Sequence, residues 1–133
     1  RPLRRDGTWA VELVWEAPEV SMDLSNPVLI GDALFGLSHR SSGQYFMIDA
    51  RTGDVEWLGE PRAAQNTAVV KADDLLFLLN DDAELIVGRI GRAGLERIRG
   101  YTVADSATWA QPAISGNRLF IKDIDTVALW TVD

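Results

Sequence analysis

The residue types of a Ser-His-Asp triad occur together in one part of the chain. His39 is the single histidine, Ser38 precedes it, and Asp49 follows in the next apolar run. Neighbouring side chains of a strand point to opposite faces, so Ser38 and His39 would diverge rather than share a proton. We therefore interpret His39 as a structural or loop histidine. Arg40, beside it, is a candidate for anion binding, with an ordinary surface arginine as the alternative.

Carboxylate and amide side chains that could bind a ligand lie in the polar connections between apolar runs. Oxygen ligands of this kind suit calcium, but here they are spread over three connections without EF-hand spacing. They are Asp23, Asn26, Asn66, Asp105 and Gln111. Met22 and Trp109 occupy the same connections and could contribute to a binding surface. The acidic clusters at residues 73–74 and 80–82 are explained by hairpin turns.

Composition excludes several classes of function. The chain has 133 residues, 47% of them hydrophobic, which predicts one globular domain. A net charge of −7 disfavours a nucleic-acid partner, because phosphate binding needs a basic surface. No apolar run approaches the roughly 18–20 residues of a membrane span. Without cysteine, disulfides and thiolate metal sites are impossible. Because the chain begins at Arg1, we expect a processed or trimmed segment.

The stretch QYFMIDARTGDVEW, residues 44–57, has the pattern of two strands joined by a turn. Its first run is uninterrupted and apolar, which favours a strand buried on both faces, although periodicity alone also allows a buried helix segment. Gly53 can adopt the left-handed conformation that such a loop needs near its end. Val55 and Trp57 then alternate with acidic residues, as in a half-exposed outer strand.

This two-strand unit is part of a longer repeat. Three Leu-Phe pairs follow short polar or glycine-bearing turns, and their phenylalanines, Phe35, Phe77 and Phe120, are 42 and 43 residues apart. Trp15 and Trp57 are also separated by 42 residues. Four short strands in each period of about 40–45 residues predict the blades of a β-propeller. Tryptophans would then pack between blades, at positions 15, 57, 109 and 130.

The period predicts an all-β partial propeller of about three blades in one domain. The blades cover residues 27–58, residues 67–103 and a three-stranded set at residues 111–133. Residues 1–6 are predicted to be a leader. Residues 8–16 are predicted to form one outer strand, because Trp15 corresponds to Trp57. The third blade therefore lacks a fourth strand, and residues 8–16 have the character of that strand.

The segment PVLIGDALFGLSHRSSGQYFMIDARTGDVEW, residues 27–57, resembles the pyrroloquinoline-quinone-like repeat of quinoprotein-type β-propellers. The shared features are the Pro-Val start, the Leu-Phe pair and the Asp-Ala-x-Thr-Gly-x-x-x-Trp end. Residues 67–98 match less closely, since residues 89–91 replace the Asp-Ala element and Ile98 replaces the tryptophan. Residues 111–133 match until the chain stops. The resemblance implies the C-terminal blades of a larger bacterial propeller.

Two functions are implied by this resemblance. The first is a non-catalytic binding or scaffold module, similar to the propeller lipoprotein of the outer-membrane barrel-assembly machinery, in the periplasm or another extracytoplasmic location. The second is a fragment of a quinone (PQQ)-dependent oxidoreductase that binds calcium. The adjacent cysteines of several such dehydrogenases are absent, and the carboxylates do not converge. We favour the binding module, with no catalytic residue, no metal and no cofactor.

Three blades do not make a ring, since related propellers have seven or eight. Open faces and unpaired strand edges promote association. We expect a homodimer in which residues 8–16 of one chain complete the last blade of the other, giving six blades. The alternatives are the remaining blades of a parent propeller or other proteins. A ligand would bind at the connections between blades, at Met22, Asp23, Asn26, His39, Arg40, Asn66, Trp109 and Gln111.

Overall fold

The computed structural model describes residues 3–5 and 7–133, with the backbone alone for residues 3–5 and for Thr8. Of the predicted leader, Arg1, Pro2 and Asp6 lie outside the described residues. Its central part forms a short strand, β1 (Leu3–Arg5). Throughout the described residues the one helical element is a single turn at Arg40–Ser42. None of them belongs to a helix with the length and hydropathy to cross a membrane.

The first large sheet, blade 1, has four antiparallel strands in sequential order. Its register places Phe35 opposite both Val28 and Met47, in the middle of the sheet. Trp57 lies opposite Met47 from the other side. The strands are β3 (Val28–Ile30), β4 (Ala33–Ser38), β5 (Gln44–Asp49) and β6 (Val55–Leu58).

Blade 2 repeats this arrangement, and blade 3 repeats it with three strands. Blade 2 consists of β7 (Thr67–Ala72), β8 (Leu75–Asn80), β9 (Glu84–Gly91) and β10 (Gly94–Thr102). Blade 3 consists of β11 (Ala113–Ser115), β12 (Arg118–Lys122) and β13 (Val127–Thr131). The predicted all-β blades of a partial propeller are therefore confirmed. Among the described strands, β13 pairs with β12 alone and forms an open edge.

The start of the chain differs from the prediction of one strand over residues 8–16. The observed strand, β2 (Thr8–Ala10), is short and pairs with β1 in a separate hairpin. Residues 11–16 form no ladder among the described residues. The physical reason is that an outer strand needs a neighbour for its backbone hydrogen bonds, and residues 3–5 and 7–133 offer none beside residues 11–16.

The core lies between the blades. One cluster joins the face of blade 1 that carries Phe35 to blade 2, where Val69 and Leu78 meet it. A second cluster joins the opposite face of blade 2, through Phe77, to Leu119 of blade 3. Each blade is therefore a layer whose two faces need neighbours, since side chains alternate across a strand.

A tryptophan and a glycine meet at successive blade boundaries. The Trp15 indole packs against Gly53 and donates a hydrogen bond to the Ala50 carbonyl oxygen at 3.1 Å. The Trp57 indole lies in the same way against Gly94 of blade 2, where a Cβ atom would overlap the ring. Trp15 therefore makes the contact that the outer strand of a preceding blade would make. The predicted packing role of these two tryptophans agrees with this geometry.

Candidate functional site

The connections between blades and the turns between second and third strands form one surface, which we call the connection face. It comprises residues 17–27, 39–43, 59–66, 80–84, 103–112 and 123–126. Backbone hydrogen bonds link neighbouring segments: His39 N–H to Ser21 at 2.7 Å and Arg62 N–H to Ser41 at 3.1 Å. The Thr108 N–H likewise donates to Asp81. These bonds between residues distant in sequence hold the surface in one arrangement.

An open cleft of about 340 Å³ lies on the connection face. Three of the predicted binding residues line it: Asp23, His39 and Trp109. They come from three different segments, namely the entry to blade 1, a turn of blade 1 and the connection to blade 3. The structure therefore brings together side chains that the sequence separates by as many as 86 residues.

His39 combines a fixed backbone with an unpaired side-chain atom. Its N–H donates to Ser21, and its Nδ1 atom is buried without a hydrogen-bond partner within the described part of the chain. The Ser38 hydroxyl oxygen accepts the N–H groups of Ser21 and Arg40 at 3.1 and 3.2 Å. The Ser38 hydroxyl oxygen is thus engaged with backbone N–H groups, which does not favour a Ser-His pair with His39.

The other predicted residues lie outside the cleft lining. Asn66 is buried, and its Oδ1 atom has no hydrogen-bond partner within the described chain. Gln111 donates to the Val69 carbonyl oxygen at 3.2 Å, which ties its connection to blade 2. The Met22 sulfur lies over Gly36 of blade 1. Arg40 and Asn26 are exposed on the connection face.

Four cleft residues were not among the sequence candidates. They are Leu24, Ser42, Gly43 and Gln65. Gly43 has a φ of +94°, and a Cβ there would overlap the Ala64 carbonyl oxygen, so only glycine allows this close approach. Their one sequence signal is position, since each lies within three residues of a candidate.

The carboxylates of the turns are engaged with the backbone. Asp81 accepts the N–H groups of Gln65 and Asn66 at 2.9 and 3.0 Å. Asp123 accepts several donors, and the Thr126 N–H is the main cause of its lowered pKa, opposed by desolvation. No three Asp, Glu or His side chains converge in the described residues. The carboxylates of Asp81 and Asp123 are therefore engaged with backbone donors of the chain itself.

Trp109 separates the cleft from a second hollow of about 210 Å³. Its indole is 47% exposed and lines both spaces. The walls of the second hollow are mainly apolar, with Ala107, Ala110 and Ile124 beside Lys122 and Asp123. The two hollows thus share Trp109 as a wall, and we refer to them together as the groove.

Comparison with known proteins identifies the fold. No family model matches the chain, and no curated protein sequence matches it. The crystal structure of BamB from Moraxella catarrhalis matches with a TM-score of 0.60 at 17% identity, over 80% of this chain and 30% of that chain. The computationally designed Ika8 protein matches at 0.50 and 12% identity, over 82% of this chain and 45% of that one. The chain therefore has a β-propeller fold and spans less than half of either structure.

Proposed function

We propose that this chain is a non-catalytic β-propeller module that acts by binding and scaffolding, and that its open ends join further blades. The most direct partner is a second copy, with which it would close a six-bladed ring. One observation supports the proposal: the outer face of blade 3 and the segment before Trp15 both carry exposed apolar side chains, at positions that are covered at the blade boundaries inside the chain.

The outer face of blade 3 is one of these ends. At corresponding positions, Phe35 and Phe77 are 0% and 4% exposed because the next blade covers them. Phe120, the third member of the series, is 37% exposed, and Leu129 beside it is 56% exposed. Burying such apolar side chains would favour association by about 25 cal/mol for each Å² removed from water.

The segment before Trp15 is the other end. Trp15 is already docked on blade 1, as Trp57 is docked on blade 2. Val11, Leu13 and Val14, just before it, are each exposed to solvent. This segment therefore has the features expected of a fourth strand that lacks its sheet: a docked tryptophan and exposed apolar residues before it.

The register of the missing pair follows from blade 1. There Trp57 lies opposite Met47, and Met47 lies opposite Phe35. In blade 3, Leu129 lies opposite Phe120 and therefore occupies the position of Met47. The strand from a second copy would place Trp15 opposite Leu129. The flanking pairs would be Leu13 with Trp130 and Glu16 with Ala128.

This register can be tested by a disulfide between two chains. Glu16 and Ala128 correspond to Leu58 and Phe46. The Gly59 N–H donates to the Tyr45 carbonyl oxygen beside this pair, so the pair itself exchanges no hydrogen bonds. The Cα atoms of such pairs are about 4.5 Å apart. Such a distance suits a disulfide. Because the chain has no cysteine, mixing the Glu16→Cys and Ala128→Cys proteins should give one defined heterodimer under mild oxidation.

The matched control is Glu12→Cys mixed with Ala128→Cys, which moves the thiol out of register. Equal yields in the two mixtures would argue against the strand exchange. Molar mass from light scattering is the second measurement, since the proposal expects twice the 14.7 kDa of one chain. A monomer at high concentration would overturn the closure by a second copy.

A second candidate is docking of the same ends onto the remaining blades of a longer propeller. It is favoured by the comparison with BamB, of which the matched region is 30%. In that case the isolated chain would form no defined dimer, and a longer polypeptide with additional blades would be monomeric. The cross-linking mixtures distinguish the two candidates directly.

Two further proposals, on the location of the protein and on quinone binding, start from the sequence resemblance. We propose an extracytoplasmic location on that basis, which cell fractionation of the full-length protein would test. We also propose that the chain binds no quinone, since its described residues offer no converging ligands. Titration with pyrroloquinoline quinone and Ca²⁺ should leave tryptophan fluorescence without a saturable change. Saturable micromolar binding would instead favour the oxidoreductase fragment.

A further inference from the structure

We propose that the groove on the connection face binds a short extended peptide that carries a lysine or arginine next to an apolar side chain. This interaction is separate from the association of the blade ends. It involves other residues, because the groove is lined by the connections between blades and not by the edge of β13.

The shape of the groove suits two neighbouring side chains. The cleft with Asp23 and His39 lies on one side of Trp109, and the smaller hollow with Ile124 lies on the other. The Trp109 ring is half exposed between them, available for stacking or for an apolar contact. A peptide crossing the ring would place one side chain in each space.

The acidic residues of the connection face favour a cationic ligand. Asp23 is the one charged carboxylate in the lining of the cleft. Further exposed acidic residues lie in other segments of the connection face, and their summed field raises the local concentration of cationic partners. They are Glu19, Glu60, Asp82, Asp105 and Asp125. The basic residues of this face are Arg40 and Arg62, together with Lys122, whose Nζ donates to the carbonyl oxygens of Asp123 and Ile124.

The lining residues offer a partner for each part of such a peptide. A guanidinium or ammonium group can pair with Asp23 and lie on the face of Trp109, where a cation and an aromatic ring attract each other. His39 lines the same cleft as Asp23, and its ring forms part of the wall beside the cation. Ile124, Ala107 and Ala110 provide the apolar contact for the neighbouring side chain.

Fluorescence anisotropy with a labelled octapeptide of alternating arginine and leucine tests this proposal. We expect saturable binding that weakens as salt is added, since salt screens the attraction. Asp23→Asn and Trp109→Leu should each weaken binding about three- to thirtyfold, the range expected for a lost ion pair or cation–π contact. Both side chains are exposed, so both variants should fold, which thermal melting would check.

Two controls make the result decisive. Asp74→Asn removes the same charge from an exposed turn at the opposite ends of the strands and should leave binding unchanged. A matched octapeptide of glutamate and leucine should not bind. Equal weakening by Asp74→Asn and Asp23→Asn, or equal binding of the acidic peptide, would overturn the proposal. Failure here would leave the disulfide result, and therefore the closure of the ring, unaffected.

Discussion

At the residue scale, a tryptophan packs against a turn glycine at the start of blade 1 and at the boundary between blades 1 and 2. Trp15 meets Gly53, and Trp57 meets Gly94, with both glycines at positive φ. The indole occupies the space that a Cβ would need, so the backbone conformation and the packing impose the same residue. This double requirement explains why glycine recurs in the turn at nearly the period of the tryptophans.

Gly53→Ala should therefore be more destabilising than a glycine substitution in an open turn. We expect a loss of about 2–4 kcal/mol in the free energy of unfolding, from backbone strain together with overlap with Trp15. Gly31→Ala is the matched control, because its φ is +60° and its added Cβ meets no atom within 4 Å. It should cost about 1–2 kcal/mol. Chemical denaturation measures both, and equal losses would contradict the role of the Trp15 contact.

Asp123 should make the stability of the third blade depend on pH. Hydrogen bonds from the Thr126 backbone and side chain, and from the Asp125 backbone, hold its pKa below the ordinary value. A lowered folded-state pKa means that the stabilisation is present above the unfolded-state pKa, near 4, and is lost as the pH falls through the folded-state value. Asp123→Asn should thus be less stable than the parent at pH 7, with the difference shrinking below pH 4.

Thermal melting between pH 2.5 and 7 tests this expectation. Asp125→Asn is the control, since it changes the same charge in the same turn while Asp125 contributes only its backbone N–H to the network. A constant difference between the parent and Asp123→Asn across this range would rule out the titration of Asp123 as its source.

At the element scale, each blade is a sheet with two apolar faces, and its stability depends on what covers them. Blade 2 is covered on both sides, by the clusters it forms with blades 1 and 3. Blade 3 is covered on one side only, and Phe120 and Leu129 remain accessible on the other. Equivalent positions of the repeat therefore have unequal energetic roles.

Alanine substitution of the repeated phenylalanine should reveal this inequality. Phe77→Ala removes a buried ring between blades 2 and 3 and should cost about 3–5 kcal/mol in unfolding free energy. Phe120→Ala, at the corresponding position, should cost about 1 kcal/mol when measured in dilute protein. The pair serves as its own control, because residue type and strand position are the same. Similar losses would indicate that the outer face of blade 3 is covered in the single chain.

At the scale of the whole molecule, the arc combines apolar ends with a strongly acidic surface. The ends favour association, whereas the net charge of −7 opposes it by mutual repulsion. If a second copy covers the ends, the folded state is coupled to protein concentration. Stability then becomes a property of the assembly rather than of one chain.

The midpoint of thermal unfolding should accordingly rise by a few degrees for each tenfold increase in protein concentration. Phe120→Glu should abolish this dependence, because it adds a charge to the apolar face of blade 3. Ile98→Glu is the control, since Ile98 is exposed on the outer strand of blade 2 and lies away from both ends. A midpoint independent of concentration in the parent protein would argue against association through the blade ends.

The repeat was predictable from the sequence because its causes are local. The alternation of side chains and the turn residues beside Phe35, Phe77 and Phe120 depend on neighbours a few residues away. The strands therefore lie close to where the pattern indicates. The strand expected over residues 8–16 is the exception. Its hydrogen-bond partner is not local, and without that partner the segment forms only β2 and an irregular connection.

The groove could not be predicted from the sequence, because it forms only when distant segments come together in the folded chain. Sequence reasoning proposed Asp23, His39 and Trp109 as separate candidates, but their meeting depends on bonds between distant segments, such as Gln65 to Asp81. The same applies to Asn66 and Gln111, which lie outside the cleft despite similar positions in the pattern. A period specifies which residues are equivalent, whereas the surface they form depends on how the layers stack, and stacking is a long-range property of the chain.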